Sequence, residues 1–212
     1  MSHANLSPIL SRRLHRAAPR RQQRGFSLLE ALVSIVVLSF GLLGVAGLQA
    51  SSLKYSRDAR NQTVAVNLAR ELAEMIRSNA RESGKTADNP YLMVAQDINS
   101  DGNKPPSTCL DVGKDCGDDA NQLAEDQVKD WAWRVGKALP SAHAAVCLDD
   151  EPYDAKGLPQ WECTPRGSNI IAIKIGWQRD DFERDAENKL VTKKANEMRP
   201  FVVLPVTPAG QQ

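Results

Sequence analysis

One carboxylate stands out by its position. Glu30 opens an otherwise apolar run, and no charged residue occurs from Ala31 to Leu53, a stretch of 23 residues. A charge in such a span costs about 2.5–3.5 kcal/mol at the helix centre and less toward the interface, so an acid kept there tends to have a partner and a function. The other groups able to do chemistry are four cysteines, at positions 109, 116, 147 and 163, and three histidines, of which His3 and His15 precede the run and His143 follows it. Four cysteines in an oxidising compartment suggest two disulfides with three possible connectivities. Local closure favours Cys109 with Cys116 and Cys147 with Cys163. Zinc is disfavoured, because no Cys-x-x-Cys occurs and no histidine is suitably placed. Asp97-Ile98-Asn99-Ser100-Asp101-Gly102 has the spacing of the first half of a calcium loop. Its twelfth position, however, is Thr108, which cannot supply a bidentate carboxylate, so a polar turn is expected and no metal. There is no nucleophile elbow, no Gly-rich phosphate loop and no His-Glu-x-x-His, so the sequence predicts neither an enzyme nor a cofactor.

These residues need elements to hold them. At ~1.5 Å per residue, the uncharged run makes a helix of roughly 35 Å, enough to cross a ~30 Å hydrocarbon layer. Ahead of it, residues 1–25 carry six arginines (Arg12, Arg13, Arg16, Arg20, Arg21 and Arg24) and no lysine or acid. Lys54, Arg57 and Arg60 follow the run. This asymmetry predicts that the leader stays inside and the body crosses to the outside. Loss of the six arginines from a formal net charge of +1 leaves −5, which removes the case for a nucleic-acid surface on the mature body. Mean hydropathy is negative despite the apolar run, and only 5% of residues are aromatic. One small polar domain is therefore expected beyond the membrane, not two.

Helical periodicity continues past the run to about Asn79, with Val64, Ala65, Leu68, Leu72, Met75 and Ile76 at three- and four-residue spacing. One helix from Phe26 to Asn79 would be about 80 Å long. Its first half is apolar all round and its second half amphipathic. Gly41, Gly44 and Gly47 lie three apart within it, suited either to close helix packing or to a point where the helix melts. Residues 81–120 are rich in Gly, Asp, Asn, Pro and Ser and read as a long loop. A second helix is expected over 121–139, with Trp131 in the core and Trp133 at its rim. Strands are expected over 144–148, over 169–178, and over 200–206 at a sheet edge because of Pro200 and Pro205. The charged stretch 180–199 reads as a connection. The fold class is α+β.

The string Gly25-Phe26-Ser27-Leu28-Leu29-Glu30, followed by the long apolar run, resembles the type III signal of type IV prepilins and type II secretion pseudopilins. The resemblance implies a fold and a history. Gly25 would be the glycine after which a prepilin peptidase cuts, Phe26 the new, N-methylated first residue, and Glu30 the acid that meets the N-terminal amine of a neighbouring subunit. It also implies a type IV pilin fold, a long N-terminal helix packed on a small antiparallel β-sheet head with an extra helix. Further stretches, Ala69-Arg70-Glu71-Leu72-Ala73-Glu74-Met75-Ile76 and Trp131-Ala132-Trp133-Arg134-Val135-Gly136-Lys137, are similar to PilV-type minor pilins, the type IV pilus modification proteins. The arginine-rich leader is longer than in most prepilins.

The expected organisation is a cleaved cytoplasmic leader (1–25), a transmembrane or fibre-core half-helix (26–53), an amphipathic half-helix (54–80) and a periplasmic head (81–212). The implied partners are the prepilin peptidase/methyltransferase, major and minor pilins, the pilus assembly platform and the inner membrane. The implied location is the inner membrane in a single pass and, after assembly, the pilus. The alternatives are a type II secretion pseudopilin of the I type and a single-pass periplasmic binding module.

Overall fold

A computed structural model of the chain describes residues 25–98, 102–167, 169–179, 182–184, 190–192 and 197–208. The chain divides after Gln49 into two compact units. Helix α1 runs from Leu28 to Ser78, beginning two residues later than its sequence pattern suggests. In the first unit its apolar side chains are exposed, Phe40 by 71% and Leu48 by 74%. This is the one helix among the described residues long and apolar enough to cross a membrane.

In the second unit the amphipathic part of α1 buries Ala65, Leu68, Ala69, Leu72, Ala73 and Ile76. The spacing of three and one places them on a single stripe, and the three alanines let the helix approach its neighbours closely. A four-residue helix, α2 (Ala80–Ser83), follows, and then strand β1 (Met93–Asp97), helix α3 (Ala120–Ala138), and strands β2 (His143–Leu148) and β3 (Ile171–Gly176). Strands β4 (Phe182–Arg184), β5 (Leu190–Thr192) and β6 (Val202–Val206) complete the order. The main sheet is antiparallel with strand order β1-β2-β3-β6, and β4 pairs with β5.

Ile171, Ile173 and Ile175 of β3 join the helical stripe in one core cluster with Val146, Trp131 and Val135. Trp131 is fully buried, and its indole N–H donates to the Leu68 carbonyl at 2.8 Å, so α3 is pinned to α1 by packing and by a satisfied polar atom. On the rim, Arg134 of α3 bridges Glu71 of α1 at 2.6 Å and Asp130 at 2.8 Å. This is an α+β architecture of the type IV pilin kind.

Two stretches differ from their sequence reading. Residues 81–120 are not loop throughout, because β1 lies within them. Only its first residue is buried, so period-two alternation has no dry face to write itself on. The connection over 180–199 contains the β4–β5 hairpin, whose three-residue strands are too short to leave a pattern.

Candidate functional site

Gly25, Phe26 and Ser27 precede α1 in non-helical backbone, and all three are exposed. The first hydrogen bond into the helix runs from the Ala31 N–H to the Ser27 carbonyl at 3.2 Å. The Gly25–Phe26 peptide bond thus lies outside the helical ladder. Among the described residues no contact requires glycine at this point. A Cβ on Gly25 would meet no atom within 4 Å, and its φ is not in the left-handed region. The same open space surrounds Gly41, Gly44 and Gly47, so no contact among the described residues accounts for these small residues.

Glu30 sits in the first turn of α1 and is exposed. An acid there interacts favourably with the helix dipole, by about 0.3–1 kcal/mol. That contribution is small beside the cost of a carboxylate among Leu28, Leu29, Leu32 and Val33. Among the described residues no ion pair involves Glu30. Glu30 follows Phe26 by four residues.

The cysteines fall in two closed loops of the head. Cys109 is bonded to Cys116 between β1 and α3, and Cys147 of β2 is bonded to Cys163 in the β2–β3 connection. Each loop is organised by a buried carboxylate. Asp126 of α3 is 3% exposed. It accepts from the Ser107 hydroxyl at 2.8 Å and from the N–H groups of Thr108 and Cys109 at 2.6 and 2.9 Å. Burial pushes this carboxyl up, but the Cys109 N–H, the Ser107 hydroxyl and the Thr108 N–H outweigh it and hold it below the ordinary carboxylate value. Its stabilising effect is therefore present above the unfolded pKa of about 3.9 and is lost as pH falls through the lower folded value. Asp126→Ala is expected to cost about 2 kcal/mol and to flatten the acid limb of a stability–pH curve measured by denaturant unfolding. An unchanged midpoint would mean that the carboxylate does not organise the loop.

The second loop covers the face of the sheet opposite the helices. Cys147, Ala145 and His143 share that face with Lys174, whose register partner is Ala145. Lys174 is fully buried and pairs with the equally buried Asp149 at 2.6 Å, while its ammonium also donates to the Glu162 carbonyl at 2.6 Å. Asp149 accepts further bonds from the N–H groups of Glu151 and Thr164, at 3.0 and 3.1 Å. The loop is fixed at its rim by Arg199, which bridges Asp154 at 2.8 Å, and by the Trp161 N–H, which donates to the Met198 carbonyl at 2.6 Å. Reduction of Cys147–Cys163, which spans 16 residues, is expected to lower head stability by about 3 kcal/mol. Thiol labelling of the unreduced protein should find no free cysteine. Labelling of all four without reductant would contradict the bonded state.

Cys147, Asp149 and Cys163 lie close enough to suggest a metal site, but both sulfurs are joined to each other. In the calcium-like stretch Asp97 ends β1 and pairs with His143 at 2.7 Å; Asn99, Ser100 and Asp101 lie outside the described residues. The Thr108 N–H serves Asp126. Sequence reasoning missed the Asp149–Lys174 pair, although a lysine flanked by Ile173 and Ile175 in a strand is a usable signal.

Comparison with known proteins bears on the N-terminal segment. Residues 20–46 match the family model of the prokaryotic N-terminal methylation motif, a span that contains Gly25, Phe26 and Glu30. No curated protein and no solved structure matches the chain. The chain carries a type IV pilin-like prepilin signal, which supports a type IV pilin-like or pseudopilin protein, structural in kind.

Proposed function

We propose that this protein is a PilV-like minor pilin, cut after Gly25 by the prepilin peptidase, N-methylated on Phe26, and built into type IV pili or used to prime their assembly. The observation that carries this reading is the exposed, non-helical Gly25–Phe26 bond shortly ahead of a first-turn carboxylate that has no counter-charge among the described residues. The body extends the argument. A head with two disulfide-closed loops suits the periplasm, and the basic leader suits insertion with that head outside. The leader (1–25), the two half-helices (26–53 and 54–80) and the head (81–212) are then the functional parts. In this reading the peptidase, the assembly platform and other pilins are the partners, and no nucleic acid is bound.

The competing assignment is a pseudopilin of the type II secretion system, which shares the same signal. Deletion of the gene separates the two. A minor pilin requires loss of surface pili with type II export intact. Loss of export with normal piliation would assign the protein to the secretion system.

A further inference from the structure

The buried pair of Asp149 and Lys174 grips the chain on both sides of a cysteine. Asp149 stands two residues after Cys147. Its carboxylate accepts from the N–H and the hydroxyl of Thr164, the residue after Cys163, at 3.1 and 3.3 Å. Lys174 donates to the carbonyls of Glu162 and Trp161, the residues before Cys163, at 2.6 and 3.3 Å. Lys174 itself is fixed on β3, opposite Ala145 of β2. A carboxylate oxygen of Asp149 and the two sulfurs lie within 4.8 Å of one another. None of these polar bonds uses a sulfur, so all of them can form with both cysteines reduced.

The other disulfide repeats the arrangement with a different carboxylate. Asp126 of α3 accepts from the Ser107 hydroxyl and from the N–H groups of Thr108 and Cys109, which holds Cys109 against the helix. Cys116 is held at the start of the same helix, its carbonyl accepting from the N–H of the N-cap residue Asp119 at 3.1 Å. Among the described residues no hydrogen bond or ion pair joins the Asp126 group to the Asp149 group, so each carboxylate serves one disulfide. Well-packed apolar side chains of similar volume often stabilise as much as a buried ion pair does. What they lack is direction, and direction is what brings two particular sulfurs together.

We propose that Lys174 and Asp149 are positioning residues for oxidation of the head, gathering Cys147 and Cys163 in the folded, reduced protein, and that Asp126 does the same for Cys109 and Cys116. Each bond forms by exchange with an external disulfide oxidant. One cysteine thiolate attacks the oxidant, giving a mixed disulfide and releasing one thiol. The second cysteine thiolate attacks the protein sulfur of that mixed disulfide and releases the other. The cysteines lose two electrons, the oxidant gains them, and the two cysteine protons end on the released thiols. This role does not depend on whether the chain serves a pilus or a secretion system.

The test equilibrates the full-length protein in detergent with mixtures of oxidised and reduced glutathione, quenches by alkylation, and reads each disulfide by peptide mass spectrometry. The occupancies give the effective concentration of each thiol pair. Lys174→Met/Asp149→Leu leaves no buried charge but removes every directed bond to residues 161, 162 and 164. It should lower the effective concentration for Cys147–Cys163 by about tenfold or more and leave that for Cys109–Cys116 within about twofold. The milder Asp149→Asn keeps an acceptor for the Thr164 N–H and should fall between the double variant and wild type. Asp126→Asn should act the other way round, on Cys109–Cys116 alone. The proposal is overturned if both Asp149 variants hold Cys147–Cys163 at the wild-type value. It is equally overturned if they lower both disulfides by the same factor, which marks a general loss of structure and not the placing of one pair of sulfurs.

Discussion

Replacement of Glu30 by leucine is expected to leave insertion and cleavage intact but to lower recovery of the protein in sheared pili by two orders of magnitude or more. Leucine suits the apolar surroundings of position 30, so the helix itself loses little beyond its first-turn dipole interaction of about 0.3–1 kcal/mol. The large effect falls on the assembly. In the proposed assembly, cleavage after Gly25 would give Phe26 of a neighbouring subunit a positive amine at membrane depth. Two unit charges 4 Å apart attract by about 4 kcal/mol at an effective dielectric constant of about 20. Removing one partner leaves the other charge buried and alone, at about 3–5 kcal/mol, and each ~1.4 kcal/mol is a factor of ten. Glu30→Asp keeps the charge on a shorter arm and should retain part of the incorporation. Wild-type recovery of the Glu30→Leu protein would sink the pairing.

The largest expected effect on the head comes from Lys174→Met. Methionine matches the length of the lysine stem, so packing changes little, but Asp149 is left buried with its charge supported only by N–H and hydroxyl donors of Glu151 and Thr164. Breaking a buried pair from one side costs about 3–5 kcal/mol, equivalent to a fall in melting temperature of roughly 6–20 °C for a domain of this size. The double variant Lys174→Met/Asp149→Leu should recover much of that loss, because no charge remains to desolvate. The pH dependence follows from Asp149. Burial raises its carboxyl, but the bonds from Lys174, Thr164 and Glu151 prevail and hold it below its ordinary value. The stability it provides is thus complete above the unfolded pKa of about 3.9 and drains away as pH falls through the folded one. Calorimetry across that range should show a steeper acid loss in wild type than in the double variant. A single variant that melts within a degree or two of wild type would show that the pair does not hold the loop.

The N-terminal apolar segment was legible in the sequence because its signal is linear. A glycine, an aromatic, an acid and an uncharged run occur in fixed order, and no folding is needed to bring them together. The amphipathic half of α1, α3 and strand β3 were legible for a related reason, since each buries a stripe that its period makes visible, such as Ala65-Leu68-Leu72-Ile76 or Ile171-Ile173-Ile175. What escaped were features made by distant residues meeting. Strand β1 buries one residue of five and has no pattern of its own; it exists because β2 offers it a partner. Asp126 looks like any polar residue on a helix until the Ser107–Cys109 turn folds onto it. Lys174 occupies the position of a solvent-facing strand residue, and only the loop closed by Cys147–Cys163 takes it out of water.

The most direct test of the account is the first residue of the mature protein. Mass spectrometry of the protein recovered from assembled fibres, or from the membrane of cells with an active prepilin peptidase, should find N-methylated Phe26 at the N-terminus and no peptide from residues 1–25. Gly25→Val should leave the full-length precursor in the membrane. An intact leader on wild-type protein in the assembled fibre would contradict the prepilin reading at its root.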